Sequence, residues 1–122
     1  MGMDLLYLTT VGAKSGQKRQ SPVARFSDGD GWLVVASNNG SEHHPNWYHN
    51  LRAHPDQVWV EMAGRTIPAT VEELTGPERD AAWQRITAAQ PRFAGYEHKT
   101  SRNIPIIRLT PTSNHADPPP SA

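Results

Sequence analysis

The segment from Gly12 to Arg19 is a polar turn that carries two glycines and three cations. Glycines allow backbone N–H groups to converge on an anion, and Lys14, Lys18 and Arg19 add attraction for negative charge. The same composition is typical of a solvated hairpin connection. The turn therefore indicates either a site for phosphate or carboxylate groups or a plain link between two strands.

A second segment, residues 44–51, gathers two aromatic, two histidine and two asparagine side chains. Pro45 can occupy the first turn of a short helix. A flat ring system could lie against Trp47 or the Pro45 backbone and bond to Asn50. Trp47 and Leu51, spaced i and i+4, could equally be core anchors of the helix. The residues alone favour neither interpretation.

A third group lies near the C-terminus, where Gln90, Phe93 and Tyr96 follow one another closely. If this stretch is helical, the aromatic rings at 93 and 96 share a face. Such a face could line a pocket, or it could belong to a short packing helix.

Other chemistries lack their required patterns. His44, His49 and His54 are spaced by five residues, which separates their rings on a helix, so no metal site is expected. No Gly-x-Ser-x-Gly elbow occurs, and Gly16 is followed by Gln17 rather than by Lys-Ser or Lys-Thr. The chain also contains no cysteine. These absences argue against a serine hydrolase, a P-loop nucleotidase and a cysteine nucleophile.

Length and charge limit the broad class. The chain has 122 residues, enough for one domain, and 12 basic residues balance 12 acidic ones. This neutral balance predicts no nucleic-acid partner. No apolar run approaches the roughly 20 residues of a membrane-spanning helix, and no secretory pattern is present, so a cytoplasmic location is expected. Residues 1–111 are predicted to form the domain, and 112–122 a disordered Pro-rich tail.

The elements that position these segments follow the order β-β-β-α-β-β-α-β. Hairpin signals and short apolar runs predict about six antiparallel strands with two to three helices. This order excludes a parallel βαβ sheet and favours a mainly β, barrel-like α+β fold. The strands are predicted near residues 5–10, 20–26, 32–37, 58–62, 65–74 and 104–109.

Four blocks in this order resemble the deazaflavin-dependent nitroreductase family of actinobacteria. They are Thr-Thr-x-Gly-x-Lys-Ser-Gly at 9–16, Val-Val-Ala-Ser-Asn-x-Gly at 34–40, His-Pro-x-Trp-Tyr-x-Asn-Leu at 44–51 and Thr-Ser-Arg-x-Ile-Pro at 100–105. The resemblance implies a split β-barrel like that of flavin-mononucleotide-binding reductases. It also implies the 8-hydroxy-5-deazaflavin coenzyme F420 and hydride transfer to a quinone-like or nitroaromatic acceptor, the cofactor carrying the reaction.

The resemblance assigns roles to individual positions. For the phosphate and acidic tail of the cofactor, the implied contacts are Lys14, Ser15 and Arg19. Around its ring system, the implied contacts are Ser37, Asn38, Pro45, Asn46, Trp47 and Asn50. The implied acceptor pocket contains Gln90, Phe93 and Tyr96, and the implied catalytic pair is Tyr96 and Ser37.

Where the best-known members carry tyrosines on the acceptor side, this chain keeps a phenol only at Tyr96. Phe93 donates no hydrogen bond and Gln90 is a neutral amide. The resemblance therefore implies reduction of simple quinones and weak activation of bicyclic nitroimidazoles. Two alternatives remain open, namely a flavin-mononucleotide reductase of the same fold and a non-catalytic deazaflavin carrier. The protein is expected to be a monomer or a homodimer. Association with a membrane surface is expected only through an N-terminal amphipathic segment, found in many members of the family, that is missing from this sequence.

Overall fold

The computed structural model describes residues 4–100 and 103–112. Most of the predicted Pro-rich tail, together with Ser101 and Arg102 of the fourth block, lies outside the described residues.

The described residues form seven strands, three helices and one 3-10 turn at Asn38–Gly40. The strands are β1 (Leu5–Val11), β2 (Lys18–Ala24), β3 (Phe26–Asp28), β4 (Gly31–Val35), β5 (Trp59–Met62), β6 (Arg65–Glu73) and β7 (Ile106–Pro111). The helices are α1 (Asn46–Ala53), α2 (Gly76–Ala89) and α3 (Arg92–Lys99).

The strands build one antiparallel sheet in the order β2-β1-β5-β6-β7-β4-β3. Strand β6 serves both halves of the sheet, because Arg65–Pro68 pairs with β5 and Ala69–Glu73 pairs with β7. Sharing one long strand between two partners curls the sheet into a half-barrel with β2 and β3 at its edges. The expected split β-barrel is confirmed.

The prediction of a single strand from Gln20 to Phe26 is wrong, and this accounts for the seventh strand. Ala24 still pairs with Leu5 on β1, whereas Phe26 pairs with Leu33 on β4. The chain leaves one edge of the sheet at Arg25 and joins the other edge at β3. As a result, β2 lies beside β4 without a shared ladder in the described chain, and this gap is the split of the barrel.

Strand β4 is apolar throughout because it is covered on both faces. Val34 faces the barrel interior with Leu109 of β7, as period-2 alternation requires. Leu33 and Val35 face the opposite side, which is covered by α2 and α3 through Ile86 and Phe93, among others. The two layers fix α3 over the outer face of the strand that borders the split.

Charged side chains hold α2 against the sheet. Arg108 on β7 pairs with Asp28 of β3 at 2.7 Å, Glu78 of α2 at 2.8 Å and Glu72 of β6 at 3.1 Å. The hydrogen bond to Asp28, then that to Glu78, raises the pKa of Arg108 further above its already high ordinary value. Through the guanidinium of Arg108, these bonds connect β7 to β3, α2 and β6.

The N-termini of the helices differ in detail from what the sequence predicts. The residues Thr75 to Glu78 resemble a capping box, but the Thr75 side chain makes no cap hydrogen bond, and Pro77 provides the first-turn signal instead. Helix α1 has Pro45 at its N-cap, one position before the predicted first turn, and ends at Ala53. The third helix is present, and it places Phe93 and Tyr96 side by side with ring centroids 5.4 Å apart.

Candidate active site

The polar turn after β1 is held closed by its own backbone. Gly12 N–H donates to the Gln17 carbonyl at 2.8 Å, and Gly16 N–H donates to the Gly12 carbonyl at 3.0 Å. Gln17 N–H donates to the Ser15 hydroxyl at 3.1 Å. These N–H groups are used within the turn, so the turn's attraction for anions comes chiefly from the side chains of Lys14 and Arg19.

At position 12 a side chain would displace Ser15, and at position 16 the backbone conformation favours glycine. A Cβ at Gly12 would overlap the Ser15 hydroxyl oxygen, so the Ser15 side chain would have to turn away from Gln17 N–H. Gly16 has φ +70°, in the left-handed region that glycine adopts without strain. The glycine spacing of this block thus builds a tight turn that presents its cations outward.

Helix α1 is fastened to the fold at two points. Asn50 accepts a hydrogen bond from Ala13 N–H at 3.0 Å. Tyr48 donates its hydroxyl proton to Glu73 at 2.7 Å and accepts a hydrogen bond from Arg52 at 2.9 Å. Burial, followed by the bond to Glu73, raises the pKa of the Tyr48 phenol above its ordinary value of 10.0. The amide of Asn50 is therefore engaged by the protein itself, and the residue also lines the cavity over the polar turn.

Trp47 combines the two roles that its sequence position suggests. Its side chain is buried with Leu51 in the barrel core. It also lines both cavities described below. Core anchoring and ligand contact are thus compatible at this position.

A cavity of about 620 Å³ lies over the polar turn. The predicted tail contacts Lys14, Ser15 and Arg19 all line it, together with His49. Neither Lys14 nor Arg19 pairs with a carboxylate among residues 4–100 and 103–112. Both cations are exposed and face this cavity.

A second cavity, of about 700 Å³, occupies the split between β2 and β4. It is lined by Pro22 and Val23 from β2, Val35 from β4 and the predicted residues Ser37, Asn38, Pro45, Asn46, Trp47, Phe93 and Tyr96. Ser37 is buried at the end of β4. This cavity has the mixed apolar and polar lining of a site for a flat ring system.

Asn38 shapes the wall of the second cavity. Its φ of +48° lies in the left-handed region, which asparagine tolerates better than most residues. Its amide donates to the His43 carbonyl at 3.0 Å and closes the loop. We therefore assign Asn38 the task of holding the loop that carries His43 and His44 into the cavity wall.

The two cavities form one groove, because Ser21, Asn46 and Trp47 line both of them. None of the described residues that line this groove is an aspartate or a glutamate. The chain as a whole has equal numbers of acidic and basic residues. A described lining that has basic but no acidic residues therefore gives the groove a positive potential, which attracts anions.

Gln90 is the one predicted site residue that lies elsewhere. It lines a separate cavity of about 370 Å³ between the end of α2 and Arg25. Gln90 follows the last residue of α2, whereas α3 starts at Arg92 and turns toward the split. Gln90 and Phe93 are close in the chain and were therefore predicted to share a pocket, but the helix break at Pro91 separates them.

Among the groove residues that were not predicted as site residues, four carry an ionisable side chain, namely His43, His44, His49 and Arg92. His44 and His49 belong to the segment 44–51, but the sequence assigns them no ligand contact. Arg92 could have been found from its position directly before Phe93, at the start of a helix after Pro91.

Within the described residues, no group of three or more His, Cys, Asp or Glu side chains could hold a metal ion. No described helix is long and apolar enough to cross a bilayer.

A split β-barrel whose groove is lined by cations and aromatic rings, with no carboxylate among the described lining residues, fits the class of oxidoreductases that hold a flat, anionic redox coenzyme. Comparison with known proteins specifies the family. The family model described as F420H(2)-dependent quinone reductase matches residues 1–111. The chain belongs to this family of oxidoreductases, and the resemblance stated from the four blocks is confirmed.

Individual relatives agree with this assignment. A Mycobacterium tuberculosis protein named F420H(2)-dependent quinone reductase is 37% identical over 108 residues, covering 86% of this chain and 72% of the relative. The structure titled F420-H2 Dependent Reductase (FDR-A) superposes with a TM-score of 0.76 at 36% identity, covering 89% of this chain and 98% of that one. A structure described as a domain-swapped dimer superposes with a TM-score of 0.78 at 37% identity, covering 89% and 81% of the two chains.

Proposed function

We propose that this protein transfers a hydride from the reduced deazaflavin coenzyme F420 to a quinone, with the coenzyme lying along the groove and its tail over the turn at Gly12–Arg19. The observation that carries this proposal is the continuous groove that joins the cations Lys14 and Arg19 to the aromatic cavity beside Ser37.

The residues present fit such a coenzyme at both ends. Lys14 and Arg19 would hold the phosphate and carboxylate groups of the tail by charge-assisted hydrogen bonds. The closed turn fixes their Cα positions and so limits the entropy lost on binding. Ser15 is engaged with Gln17 N–H in the turn, and its hydroxyl can still donate to an anion.

The ring end offers a flat, partly apolar surface. Pro45, Asn46 and Trp47 would border the ring system from α1, while Ser37 would approach it from the end of β4. Ser37 supplies a hydroxyl that can donate or accept a hydrogen bond beside the ring. Asn50 lines the cavity over the turn and fastens Ala13, and with it the turn, to α1.

When bound, the reduced coenzyme supplies the hydride. The protein's part is to hold the acceptor in contact with the ring and to limit access of water. Phe93 is buried and Tyr96 half-buried, and the perpendicular packing of their rings keeps that wall of the cavity in place. Tyr96 would donate a hydrogen bond from its phenol to the oxygen of the acceptor on which negative charge develops.

A parallel titration tests the coenzyme assignment. The purified protein is titrated with oxidised F420 and, separately, with flavin mononucleotide, and coenzyme fluorescence is followed. We expect saturable binding of F420 and much weaker binding of flavin mononucleotide, and the reverse order would support the flavin alternative. Turnover of menadione with reduced F420 is then measured, and binding without turnover would support the carrier alternative.

A further inference from the structure

Arg92 is a cation in the aromatic cavity, away from the two cations of the turn. It lines the cavity that holds Phe93 and Tyr96, whereas Lys14 and Arg19 line the other one. Among the described residues, no carboxylate forms an ion pair with Arg92. Its charge is therefore directed to solvent and to whatever occupies this cavity.

The position of Arg92 is not explained by the stability of its helix. It is the first residue of α3, whose first turn contains no acidic residue. A cation in the first turn opposes the helix macrodipole, which favours negative charge there. Pro91 provides the N-cap without a side-chain hydrogen bond, so Arg92 does not cap the helix either.

The remaining polar groups of this cavity do not counter the charge. Its described lining includes no aspartate or glutamate, and the titratable neighbours are His43 and His44 from the loop and Tyr96 from α3. Arg92 is the permanent cation among these described lining groups, because a guanidinium is not deprotonated in proteins. The aromatic end of the groove is thus suited to a flat molecule that carries a negative charge.

We propose that Arg92 selects acceptors in which the quinone ring carries an anionic substituent, such as a carboxylate, a sulfonate or an ionised hydroxyl. This inference rests on the proposed function, since it names the class of acceptor for the same site. The quinone takes up one hydride and one proton to become the hydroquinone, and the anionic substituent is unchanged. A guanidinium meets a carboxylate or a sulfonate with two parallel hydrogen bonds.

The kinetic test compares 1,4-naphthoquinone-2-sulfonate with neutral menadione at pH 8 and low salt. The quantity measured is the ratio of their kcat/KM values in the unmodified protein and in Arg92→Gln. Intrinsic differences in quinone reactivity cancel when the two proteins are compared. We expect the ratio to fall about five-fold in Arg92→Gln, mainly through a higher KM for the sulfonate, because an exposed charge pair is worth roughly a factor of five.

Arg65→Gln is the matched control. It removes the same charge from an exposed position at the start of β6 that lines none of the described groove. We expect this variant to keep the ratio of the unmodified protein. An equal fall in both variants would show a general effect of net charge and would overturn the role of Arg92.

A binding measurement tests Arg92 without turnover. Calorimetry compares 2-naphthoate with neutral 2-naphthamide, neither of which is reduced, on the protein with and without oxidised F420. We expect a preference for the carboxylate that is lost in Arg92→Gln and kept in Arg65→Gln. The proposal is overturned if Arg92→Gln keeps the preference for the carboxylate. It is also overturned if Arg92→Gln weakens F420 binding but leaves that preference unchanged.

These outcomes separate the two hypotheses. Turnover of menadione with an unchanged sulfonate ratio in Arg92→Gln leaves the proposed function intact and overturns the role of Arg92. Absence of turnover with either quinone contradicts the proposed function, and the naphthoate preference then decides the role of Arg92 by itself.

Discussion

The side-chain oxygen of Asn50 accepts a hydrogen bond of 3.0 Å from the backbone N–H of Ala13, 37 positions away in the chain. The amide nitrogen of the same residue lies 3.4 Å from the hydroxyl of Thr10, which is fully buried. One amide therefore joins the helix that lines the aromatic cavity to the turn that carries Lys14. The two ends of the groove are held in register by this contact.

Replacing Asn50 with leucine should loosen this register. The substitution keeps the branching of the side chain but leaves Ala13 N–H without its partner, at a cost of about 1–3 kcal/mol in stability. We expect a lower melting temperature and a weaker affinity for F420, measured by fluorescence titration. Thr10→Val is the matched control, because it removes the longer bond and leaves the bond to Ala13. Equal loss of affinity in the two variants would contradict a specific role for the Ala13 contact.

Neutralising the turn should weaken coenzyme binding in a salt-dependent way. In the double variant Lys14→Gln, Arg19→Gln, each lost contact to a coenzyme anion should cost about 1 kcal/mol, since both side chains are exposed. The combined loss in affinity is therefore about 30-fold at low salt and smaller at high salt.

Lys18→Gln serves as the control for the turn. The ammonium of Lys18 lies 4.6 Å from the centroid of the Trp59 ring, and Lys18 lines neither cavity of the groove. This variant should bind F420 as the unmodified protein does. If the double variant also binds F420 normally at low salt, the assignment of the turn to the coenzyme tail is wrong.

The order of the elements could be predicted from the sequence because local signals set it. Hairpin glycines, Pro45 and Pro91 mark ends that the structure confirms to within a few residues. The break at Arg25 could not be predicted, because it depends on which strand pairs with Phe26, a partner decided by the curl of the whole sheet. Pro22 in this run indicates an edge strand or a bulge, but it does not show that the chain changes its pairing partner at Arg25.

The predicted site residues share a cavity where they lie on one local structure, and they are separated where a helix break lies between them. Residues of the turn, such as Lys14 and Arg19, lie on one local structure and share one cavity. Gln90 and Phe93 are closer in the chain, but a helix break directs them to different cavities. Arg92 stands directly before Phe93 in the sequence, and the direction of α3 places both of them in one cavity.

Replacing Trp47 with phenylalanine should separate its two roles. Phenylalanine keeps much of the packing against Leu51 but withdraws the indole from both cavities. We expect a moderate fall in melting temperature together with weaker F420 binding and slower menadione reduction. Leu51→Val, a packing change in the same core, should lower the melting temperature without the loss of affinity. If Trp47→Phe behaves in the same way as Leu51→Val, Trp47 acts only as a core anchor.

The raised pKa of Tyr48 predicts a loss of stability at high pH. Above pH 10 the unfolded chain releases the phenolic proton while the folded protein retains it, so the folded state binds more protons. The free energy of unfolding therefore falls as the pH rises from about 10 toward the higher pKa of the folded state. Urea unfolding between pH 8 and 11 should show this slope, and Tyr48→Phe should reduce it. An identical slope in Tyr48→Phe would assign the effect to other groups.

Replacing Phe93 with tyrosine should alter the preference among acceptors. Phe93 is buried, with its ring 5.4 Å from Tyr96 and 5.8 Å from Phe26, so the wall it forms is apolar apart from the phenol of Tyr96. A simple quinone tolerates such a wall, whereas a bicyclic nitroimidazole gains more from donors that stabilise its developing negative charge. We expect the unmodified protein to reduce menadione well and a nitroimidazole weakly.

In Phe93→Tyr, the ratio of nitroimidazole to menadione turnover should rise, and in Tyr96→Phe it should fall. Both ratios are measured with reduced F420 in the same buffer, so that effects on coenzyme binding cancel. A buried hydroxyl without a partner costs about 1–3 kcal/mol, so melting temperatures are recorded to confirm that the Phe93 variant is folded at the assay temperature. The hypothesis fails if the unmodified protein already reduces both acceptors equally well. It also fails if folded Phe93→Tyr leaves the ratio unchanged, because the identity of residue 93 would then not limit the choice of acceptor.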